Sequence, residues 1–518
     1  MRLFIIIVFF AVSYVYANDC DDAFNNKIPI HWVEKMRQEA HKISQQQKLL
    51  NHAAQYDGKW PFQASQSILK NHVDEYSYLL KHHGIYNQED TGKCWNYTCL
   101  KMLESNIIQT NLFNKNFKFS HTYINFYEKL ERSNYYLNRL VNLFSRKSLP
   151  ADPRSEIYNS TVAIEDGGFF HEFDFLIRKY GIVPENAMPA TYASLNSTEL
   201  IMELQEYLLN FALKLGNRAY EMRGLDNLIE MYLSEQIKTG KKSKAIKSRA
   251  LTTEEKQELY NLKQDAMEGV WKILSTHLGI PPENFQVRYK VPTQENEIKD
   301  KNQPVKLRPS VISEIMTPTD FTEKVLKYNS DDYVVITSFA SRRYNQLYSY
   351  KGYKAGVENP YYKFLNISKE RLLELTIKTL DLKFIPWFAA SIGKGIDHNT
   401  GIMHPSLKNV EGLYGFDKNQ TPKKLSPQEN LFLHSLLGEH AMAFVGYDKP
   451  ENSQDVIKLA VANSWGKDFG DKGIYHMYKE WFETYVLEVV VPKEVLSEKE
   501  LELWKGKSVT INASDEYY

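Results

Sequence analysis

The sequence predicts an α+β protein in which a helix-rich part precedes a strand-rich part. In the sequence after Cys94, apolar residues recur at helical spacing and would share one face of a helix: Trp95, Cys99, Met102 and Leu103. From about residue 310 the pattern changes to short runs of β-branched and aromatic residues, at 332–339, 383–392, 440–448, 456–465 and 486–492. Such runs indicate the strands of a mixed or antiparallel sheet.

Two further helical stretches precede the strands. Residues 170–180 follow the sharp turn Asp166-Gly167-Gly168, and residues 197–278 form a long, charged, helix-prone block. Inside that block, Thr252 and Glu255 have the spacing of a capping box. The block also contains a basic run at 238–249. Such runs are typical of solvated loops, and the alternative is a patch that faces an anion or a channel.

The first 17 residues have the features of a secretory signal peptide. Arg2 precedes an apolar run that ends at Val12, and Val15 and Ala17 fit a cut after Ala17. The run is short for a bilayer span, so we expect export, or delivery to a vacuole or lysosome, with no membrane span after signal removal. An uncleaved signal anchor is the alternative. Residues 18–86 are expected to form an N-terminal arm or a propeptide-like segment.

Charge and cysteine content exclude several classes of protein. Lys+Arg and Asp+Glu are equal at 64 each, so no global field favours nucleic acid as a partner. Three cysteines, Cys20, Cys94 and Cys99, are too few for a disulfide scaffold. A Cys20–Cys99 bridge is conceivable, but the apolar helical setting of Cys99 favours a buried thiol.

An exported chain would also meet the glycosylation machinery. Six Asn-X-Ser/Thr sequons occur in the sequence. Five of them are candidate acceptors: Asn159, Asn196, Asn366, Asn419 and Asn512. The sixth, Asn96, lies too close to the predicted reactive site described next.

Four residues, in chain order, have the chemistry of a thiol-dependent acyl transfer. Cys94 begins a helix, where unpaired backbone N–H groups favour a thiolate and lower its pKa. His440 opens an apolar strand and could exchange the thiol proton. Asn463, at the end of the next strand, could orient the imidazole. The side chain of Gln88 and the backbone N–H of Cys94 could hold an oxyanion.

Each of these residues alone has an ordinary structural explanation, and their combination carries the prediction. A cysteine at a helix start is more often a buried side chain than a nucleophile. A tryptophan stands close behind two of the four residues: Trp95 directly follows Cys94, and Trp465 is two residues after Asn463. Trp465 could cover the hydrogen bond between His440 and Asn463. The mechanism requires neither a metal nor an organic cofactor.

The order of these residues and the words around them resemble the papain-type cysteine peptidases. The word GKCW and the long separation between Cys94 and His440 differ from the short form of that family, in which the separation is roughly 130–150 residues. They are similar to the bleomycin hydrolase and bacterial aminopeptidase C branch. The likeness covers most of the chain, from about residue 83 to 491, through NQEDTGKCW, FSHTYINFYEKLER, DGG, KYGIVPE, LGIPPENF, YNQLYS, GEHAMAF, NSWGKDFGDKG and EWFETYVLEVVV.

The resemblance implies a papain-like two-lobed core with a large helical insertion. The helical lobe, residues 87–196, would carry Cys94, and the β-rich lobe, residues 286–495, would carry His440 and Asn463. Residues 197–285 would be an insertion that serves as an assembly arm, in a homo-oligomer of six subunits around a chamber. Asp166, Gly167 and Gly168 would line the cleft, and peptides would be the substrates. Residues 496–518 would be the C-terminal tail.

Four features depart from the family pattern. The chain ends in NASDEYY instead of a Gly/Ala-rich tail, and Phe169-Phe170 follow DGG. Glu439 stands before the histidine, where Thr is usual, and the familiar members lack a signal peptide. The expected function is a cysteine aminopeptidase of bleomycin hydrolase type, with endopeptidase action left open by the tail. A catalytically silent papain-fold protein and an acyl-transferase that uses the same thiol are the alternatives.

Overall fold

A computed structural model describes residues 28–512, except 57–64, 83, 115, 150–151, 155–156, 158–163, 240–245, 292–309, 352–361, 408–413, 417–418, 424, 434, 437, 452 and 454. The predicted signal peptide, Cys20 and Asn159 lie outside the described residues, as does the centre of the basic run at 238–249. The described residues divide into two compact units, one formed by those within 1–72 and 406–424, the other by those within 73–405 and 425–518.

The smaller unit contains three short helices, α1 (Ile30–His41), α2 (Gln45–Tyr56) and α3 (Gln66–Asn71). None of these helices has a fully buried residue. The backbone N–H of Ser65, directly before α3, donates to the carbonyl of Leu407 at 2.8 Å, so the two chain segments of this unit are joined.

The first part of the larger unit is helical. Its helices are α4 (Cys94–Thr110), α5 (His121–Ser145), α6 (Phe170–Tyr180), α7 (Tyr192–Leu195), α8 (Thr198–Glu221), α9 (Leu228–Thr239) and α10 (Thr253–Leu278). The long helix α5 is the centre of this part, because α4, α6, α8 and α10 all pack against it. Helix α10 begins at the predicted capping box, in which the N–H of Thr252 donates to Glu255 at 2.8 Å and that of Glu255 donates to Thr252 at 3.2 Å.

Most strands lie in the second part of the chain. They are β1 (Tyr78–Leu79), β2 (Ser148–Leu149), β3 (Ile246–Lys247), β4 (Phe285–Val291), β5 (Ser310–Met316), β6 (Tyr333–Thr337), β7 (Gln346–Lys351), β8 (Lys363–Asn366), β9 (Trp387–Ala390), β10 (Ile402–Met403), β11 (His440–Asp448), β12 (Lys458–Ala462), β13 (Ile474–Tyr478), β14 (Val486–Pro492) and β15 (Val509–Asn512). Short helices lie between and after them: α11 (Pro318–Asp320), α12 (Lys369–Asp381), α13 (Pro427–Phe432), α14 (Lys479–Tyr485) and α15 (Glu498–Lys505).

Within the described residues, one mixed sheet of 11 strands forms the second layer of the larger unit. Its order is β10-β13-β12-β11-β9-β14-β6-β8-β7-β15, with β1 paired to β11. Three neighbouring pairs are parallel, β10 with β13, β6 with β8 and β15 with β7, and the others are antiparallel. Each of the five predicted runs contains a strand of this sheet, so the α+β prediction is confirmed.

The helical part and the sheet meet where α4 begins and β11 begins. The hydroxyl of Thr98 donates to the carbonyl of Ala441 at 3.0 Å, and the indole N–H of Trp387 donates to the carbonyl of Trp95 at 3.3 Å. Strand β11 crosses behind the helix with its first seven residues buried. The packing therefore fixes the first turn of α4 against the first residues of β11.

The predicted arm and the predicted tail each contribute a described strand to this sheet. The boundary between the two compact units falls after residue 72, and Tyr78 and Leu79, within the predicted arm, pair with Tyr447 and Gly446 of β11. In the tail, α15 is followed by β15, which extends the sheet beside β7. No helix in the described part of the chain has the length and apolar character that a membrane crossing needs.

The side chain of Asn366, one of the predicted acceptors, is fully buried, and both its oxygen and its nitrogen form hydrogen bonds within the fold. Its Oδ1 accepts from the Thr337 hydroxyl at 3.1 Å and the Phe339 N–H at 2.7 Å. Its Nδ2 donates to the carbonyls of Phe339, Arg342 and Arg343 at 3.1, 3.4 and 3.2 Å. A glycan on Nδ2 would remove these bonds and has no room in the fold.

The other sequons differ in exposure. Asn419 is exposed, and Asn196 is half-buried with its Nδ2 donating to the carbonyl of Tyr192 at 3.2 Å. Asn512 ends β15, and its side chain lies outside the described residues. Asn96 is buried and donates to the carbonyl of His121 at 3.1 Å, which agrees with its exclusion as an acceptor. Cys99 is a buried free thiol, as predicted.

Replacing Asn366 by Ala should lower the free energy of unfolding by at least about 2 kcal/mol, because buried backbone groups lose their partners. Urea unfolding of protein from a host that does not glycosylate would measure the change. Asn419→Ala is the matched control, and its exposed position should keep the change within about 0.5 kcal/mol. Equal effects of the two substitutions would contradict the structural role of Asn366.

Candidate active site

Cys94 is the first residue of α4, with Lys93 as the residue that caps the helix. The sulfur lies in a buried position, with 8% of the residue exposed. Its Sγ accepts a hydrogen bond from the backbone N–H of Ala441 at 3.5 Å. Since Ala441 directly follows His440, this contact places the sulfur beside the start of β11.

His440 and Asn463 are brought together by adjacent antiparallel strands. His440 begins β11, and Asn463 directly follows β12. The imidazole Nε2 lies 2.8 Å from Oδ1 of Asn463. The same Oδ1 accepts from the backbone N–H of Ser464 at 2.8 Å, which identifies the atom as the amide oxygen. The ring therefore carries its proton on Nε2 and has Nδ1 as its acceptor nitrogen.

Trp465 covers the imidazole, as the sequence predicts. The two rings are stacked, with centroids 4.5 Å apart and planes 28° apart. Both members of the His440–Asn463 pair are buried. An indole over the ring limits the access of water to the hydrogen bond, which keeps the ring orientation fixed.

Gln88 is held by the residue that follows Asn463. Its Oε1 accepts from the Ser464 hydroxyl at 2.7 Å, and its backbone N–H donates to the Ser464 carbonyl at 2.7 Å. Its Nε2 donates to the carbonyl of Thr91. A primary amide has two N–H donors, so one remains for a substrate oxygen. Gln88 is thus tied to both halves of the site, through Ser464 on one side and the turn before Cys94 on the other.

Burial opposes a charge on either member of the Cys94–His440 pair. For Cys94, burial raises the pKa to about 11, against the opposing effect of the backbone N–H groups of Ala441 and Trp95. For His440, burial lowers the pKa to about 4, although the hydrogen bond that the ring donates to Asn463 acts to raise it. The prediction of a thiol pKa lowered by the helix start is therefore wrong, because loss of solvation outweighs the helix N–H groups.

The turn Asp166-Gly167-Gly168 is attached to the segment in front of Cys94. The Asp166 carboxylate accepts from the backbone N–H of Gly92 at 3.1 Å and from the hydroxyl of Ser197. Gly167 has φ +104°, and a Cβ on Gly168 would lie 2.7 Å from the ring of Trp95. Only glycine fits at these two positions. The turn thus supports the site from behind Trp95, which is itself buried.

A buried cluster of charged residues surrounds Asp166, and the sequence alone did not reveal it. Lys129 lies 2.9 Å from the Asp166 carboxylate and 3.2 Å from that of Glu128, and Arg132 lies 3.1 Å from that of Glu172. Burial alone would raise the pKa of Asp166, but Lys129 and Lys93 hold it well below its usual range. The cluster has three cations and three carboxylates: Lys93, Lys129, Arg132, Glu128, Asp166 and Glu172.

Ser464 is a second residue that the sequence reasoning missed. It links Gln88 to Asn463 through its side chain and backbone. The word NSWG contains it, but a serine at a strand end is an ordinary turn residue, so only the contact with Gln88 gives it a place in the site. The cluster around Asp166 was missed because charged residues on α5 resemble a solvated helix face in sequence.

If catalysis needs a neutral His440, kcat/KM should rise with pH through about 4, because a protonated ring accepts no proton from Cys94. Rates from pH 3 to 8, with circular dichroism at each pH to establish that the chain is folded, would test this. A limb centred near 6.5 would contradict the burial of the ring.

Asp166→Asn should lower the free energy of unfolding by about 3–5 kcal/mol, because Lys129 would lose the nearer of its two carboxylate partners in a buried position. Denaturant unfolding would measure it. Asp152→Asn is the control, since the ion pair of Asp152 with Arg154 is exposed and should contribute at most about 1 kcal/mol. Similar losses in both variants would contradict the structural importance of the buried pair.

Comparison with known proteins agrees with this architecture. The Peptidase C1-like family matches residues 27–237 and 226–517. Aminopeptidase E of Lactobacillus helveticus is 28% identical over 95% of this chain and 99% of its own length. Bleomycin hydrolase of Gallus gallus is 28% identical, over 83% of this chain and 85% of its own.

A solved structure has the same fold. The crystal structure of pepw from Lactobacillus rhamnosis HN001 superposes with a TM-score of 0.75 at 24% identity, covering 95% of this chain and 99% of that chain. The papain-like fold predicted from the sequence is thus confirmed. The family match extends over both the helical part and the sheet, and the chain belongs to the Peptidase C1-like family.

Proposed function

We propose that the protein is a cysteine peptidase in which Cys94 is the nucleophile and His440 the general base and acid. The observation that carries the proposal is the meeting of three elements at one point. Sγ of Cys94 accepts a hydrogen bond from the backbone N–H of Ala441, the residue after His440. The imidazole is hydrogen-bonded to Asn463 and stacked against Trp465. Acyl transfer requires a nucleophile, a base and a group that orients the base, and these are the side-chain types of Cys94, His440 and Asn463.

The reaction begins with transfer of the thiol proton to Nδ1 of His440 while Sγ attacks the scissile carbonyl. Because burial opposes the thiolate and the imidazolium separately, we infer that the two charges form together, each stabilising the other. The substrate oxygen becomes negative and accepts from the Cys94 N–H and from Gln88. The C–N bond then breaks, and the imidazolium gives its proton to the leaving amine.

The second half of the cycle returns the enzyme to its starting state. Water replaces the leaving amine, and His440 takes one of its protons as the oxygen attacks the thioester. The C–S bond breaks, and the sulfur recovers the proton from the ring. Oδ1 of Asn463 accepts a hydrogen bond from the Nε2–H group throughout, which keeps Nδ1 directed at the reacting atoms. Amides accept this bond without adding a full negative charge to the site.

An aminopeptidase mode is the second part of the proposal. Its support is that the relatives matched over most of their length are named aminopeptidases and bleomycin hydrolase. Peptides with a free amino terminus are then the substrates. The C-terminal residues 513–518, which differ from the family pattern in sequence, lie outside the described residues, so the substrate mode has to be measured.

Export and assembly complete the proposal. The pattern of residues 1–17 supports entry into the secretory pathway, and the exposed Asn419 is the best placed of the described glycan acceptors. Assembly into a homo-oligomer, six subunits by family resemblance, is supported by apolar side chains exposed along α8: Met202, Leu209 and Leu213. Exposed apolar side chains on one helix face favour contact with another protein surface.

Peptide hydrolysis by the wild type should be lost in Cys94→Ala, with kcat/KM reduced at least about 10³-fold, because no other described thiol reaches the site. Cys99→Ala is the matched control, since Cys99 is the other described thiol and is fully buried in the same helix. It should retain activity at temperatures where it is folded. Wild-type rates in Cys94→Ala would contradict the proposal.

Paired fluorogenic substrates, one with a free amino terminus and one with a blocked one, separate the two modes. We expect cleavage of the free form alone, in agreement with the aminopeptidase mode. Cleavage of the blocked form would show endopeptidase action, and cleavage of neither form would favour a catalytically silent protein. Adding an amine acceptor to the same assay would reveal acyl transfer.

A further inference from the structure

The residue before His440 is Glu439, an exposed residue with a carboxylate. His440 and Ala441 are buried, at 4% and 3% exposure, whereas Glu439 is exposed. The chain therefore passes from solvent into the core within one residue of the imidazole. Consecutive Cα atoms are 3.8 Å apart, so the Glu439 side chain starts within one residue length of the reacting ring.

The carboxylate of Glu439 has a fixed anchor. Its Oε2 accepts from the backbone N–H of Ile392 at 3.1 Å and from the hydroxyl of Ser391 at 3.4 Å. These residues directly follow β9, whose last residue, Ala390, is paired with His440. The anchor holds the side chain at the rim formed by the ends of β9 and β11, instead of leaving it to move freely in solvent.

Among the described lysines and arginines, none forms an ion pair with the carboxylate at this rim. Within the part of the chain that the structure describes, both hydrogen bonds of Glu439 end on Oε2. Among the described residues no hydrogen bond to Oε1 is formed, so this oxygen is available as an acceptor. A carboxylate in this position can bind a cation that a substrate brings, and the bond would be charge-assisted.

The position of the sulfur decides which part of a substrate lies near Glu439. The backbone N–H of Ala441 contacts Sγ of Cys94, and His440 and Glu439 are the two residues that precede Ala441 in the chain. Because the imidazole gives its proton to the leaving amine, it stands on the leaving-group side of the scissile bond. Glu439 is the residue directly before this imidazole, and its carboxylate is therefore assigned to the leaving-group side.

We propose that Glu439 is a specificity-determining residue that binds a cationic side chain on the residue directly after the cleaved bond. Peptides with Lys or Arg at that position are then the preferred substrates. The inference rests on the peptidase function proposed above. It adds the substrate class: basic peptides, selected on the leaving-group side by an anchored carboxylate.

The test uses a peptide series that differs only in the residue after the cleaved bond: Lys, norleucine or Glu. Norleucine has the length of the Lys stem without its charge. The amino terminus is free or blocked, whichever form the wild type cleaves, and the cleaved bond is located by mass spectrometry. The full-length wild type should show kcat/KM about 2- to 5-fold higher for Lys than for norleucine, which is the range of an exposed ion pair.

Three variants assign the preference to Glu439. Glu439→Gln keeps the shape of the side chain and should remove the Lys preference, and Glu439→Lys should reverse it in favour of the Glu peptide. Glu451→Gln, which changes another exposed carboxylate, is the control and should keep the wild-type ratio. Raising the salt concentration should reduce the ratio in the wild type and leave it unchanged in Glu439→Gln.

Equal rates for Lys and norleucine in the wild type, or the same ratio in Glu439→Gln, would overturn the inference and leave the peptidase function intact. A Glu439-dependent preference for a cation before the cleaved bond would overturn the leaving-group assignment. Absence of Cys94-dependent cleavage for every peptide would overturn the peptidase function itself, together with the inference that rests on it.

Discussion

The contact between the first turn of α4 and the first residues of β11 is the constraint on which the site depends. Two hydrogen bonds define it, from the Ala441 N–H to Sγ of Cys94 and from the Thr98 hydroxyl to the Ala441 carbonyl. The N–H and the carbonyl of Ala441 thus both form hydrogen bonds with side chains of α4. A shift of the helix along the strand would break both bonds and separate the sulfur from the imidazole. The helical part and the sheet are therefore coupled at the residue where the chemistry takes place.

The charged cluster around Asp166 supports this contact from the helical side. Asp166 links three segments, because it binds the N–H of Gly92, the hydroxyl of Ser197 and the ammonium of Lys129 on α5. Buried charges are costly unless they are paired, and replacing them by apolar residues often stabilises a protein. Their value here is geometric. A network of directional bonds holds the turn before Cys94 in one position, which an apolar cluster of similar volume would specify less well.

Burial has two opposite consequences in the same site. It removes water from the Cys94–His440 pair, which raises the pKa of the thiol and lowers that of the imidazole. It also strengthens any attraction between the charges once they form, because the surroundings have a low dielectric constant. A resting site with neutral groups and a reacting site with paired charges are compatible under these conditions. The stacked indole of Trp465 contributes to both effects by excluding solvent.

The sequence by itself determined the class of fold, the positions of five strands and the chain order of the site residues. These features depend on local patterns that can be recognised without knowing which residues are in contact. The patterns are the helical spacing after Cys94, the β-rich runs and the short motifs around His440 and Asn463. The tertiary structure decided what depends on distant partners. It paired Tyr78 and Leu79 with the sheet, buried Asn366, made Ser464 a link between Gln88 and Asn463, and raised the pKa of Cys94 where a helix start alone predicted a decrease. Solvation, buried ion pairs and exposure are properties of the folded surroundings, and no local pattern in the chain contains them.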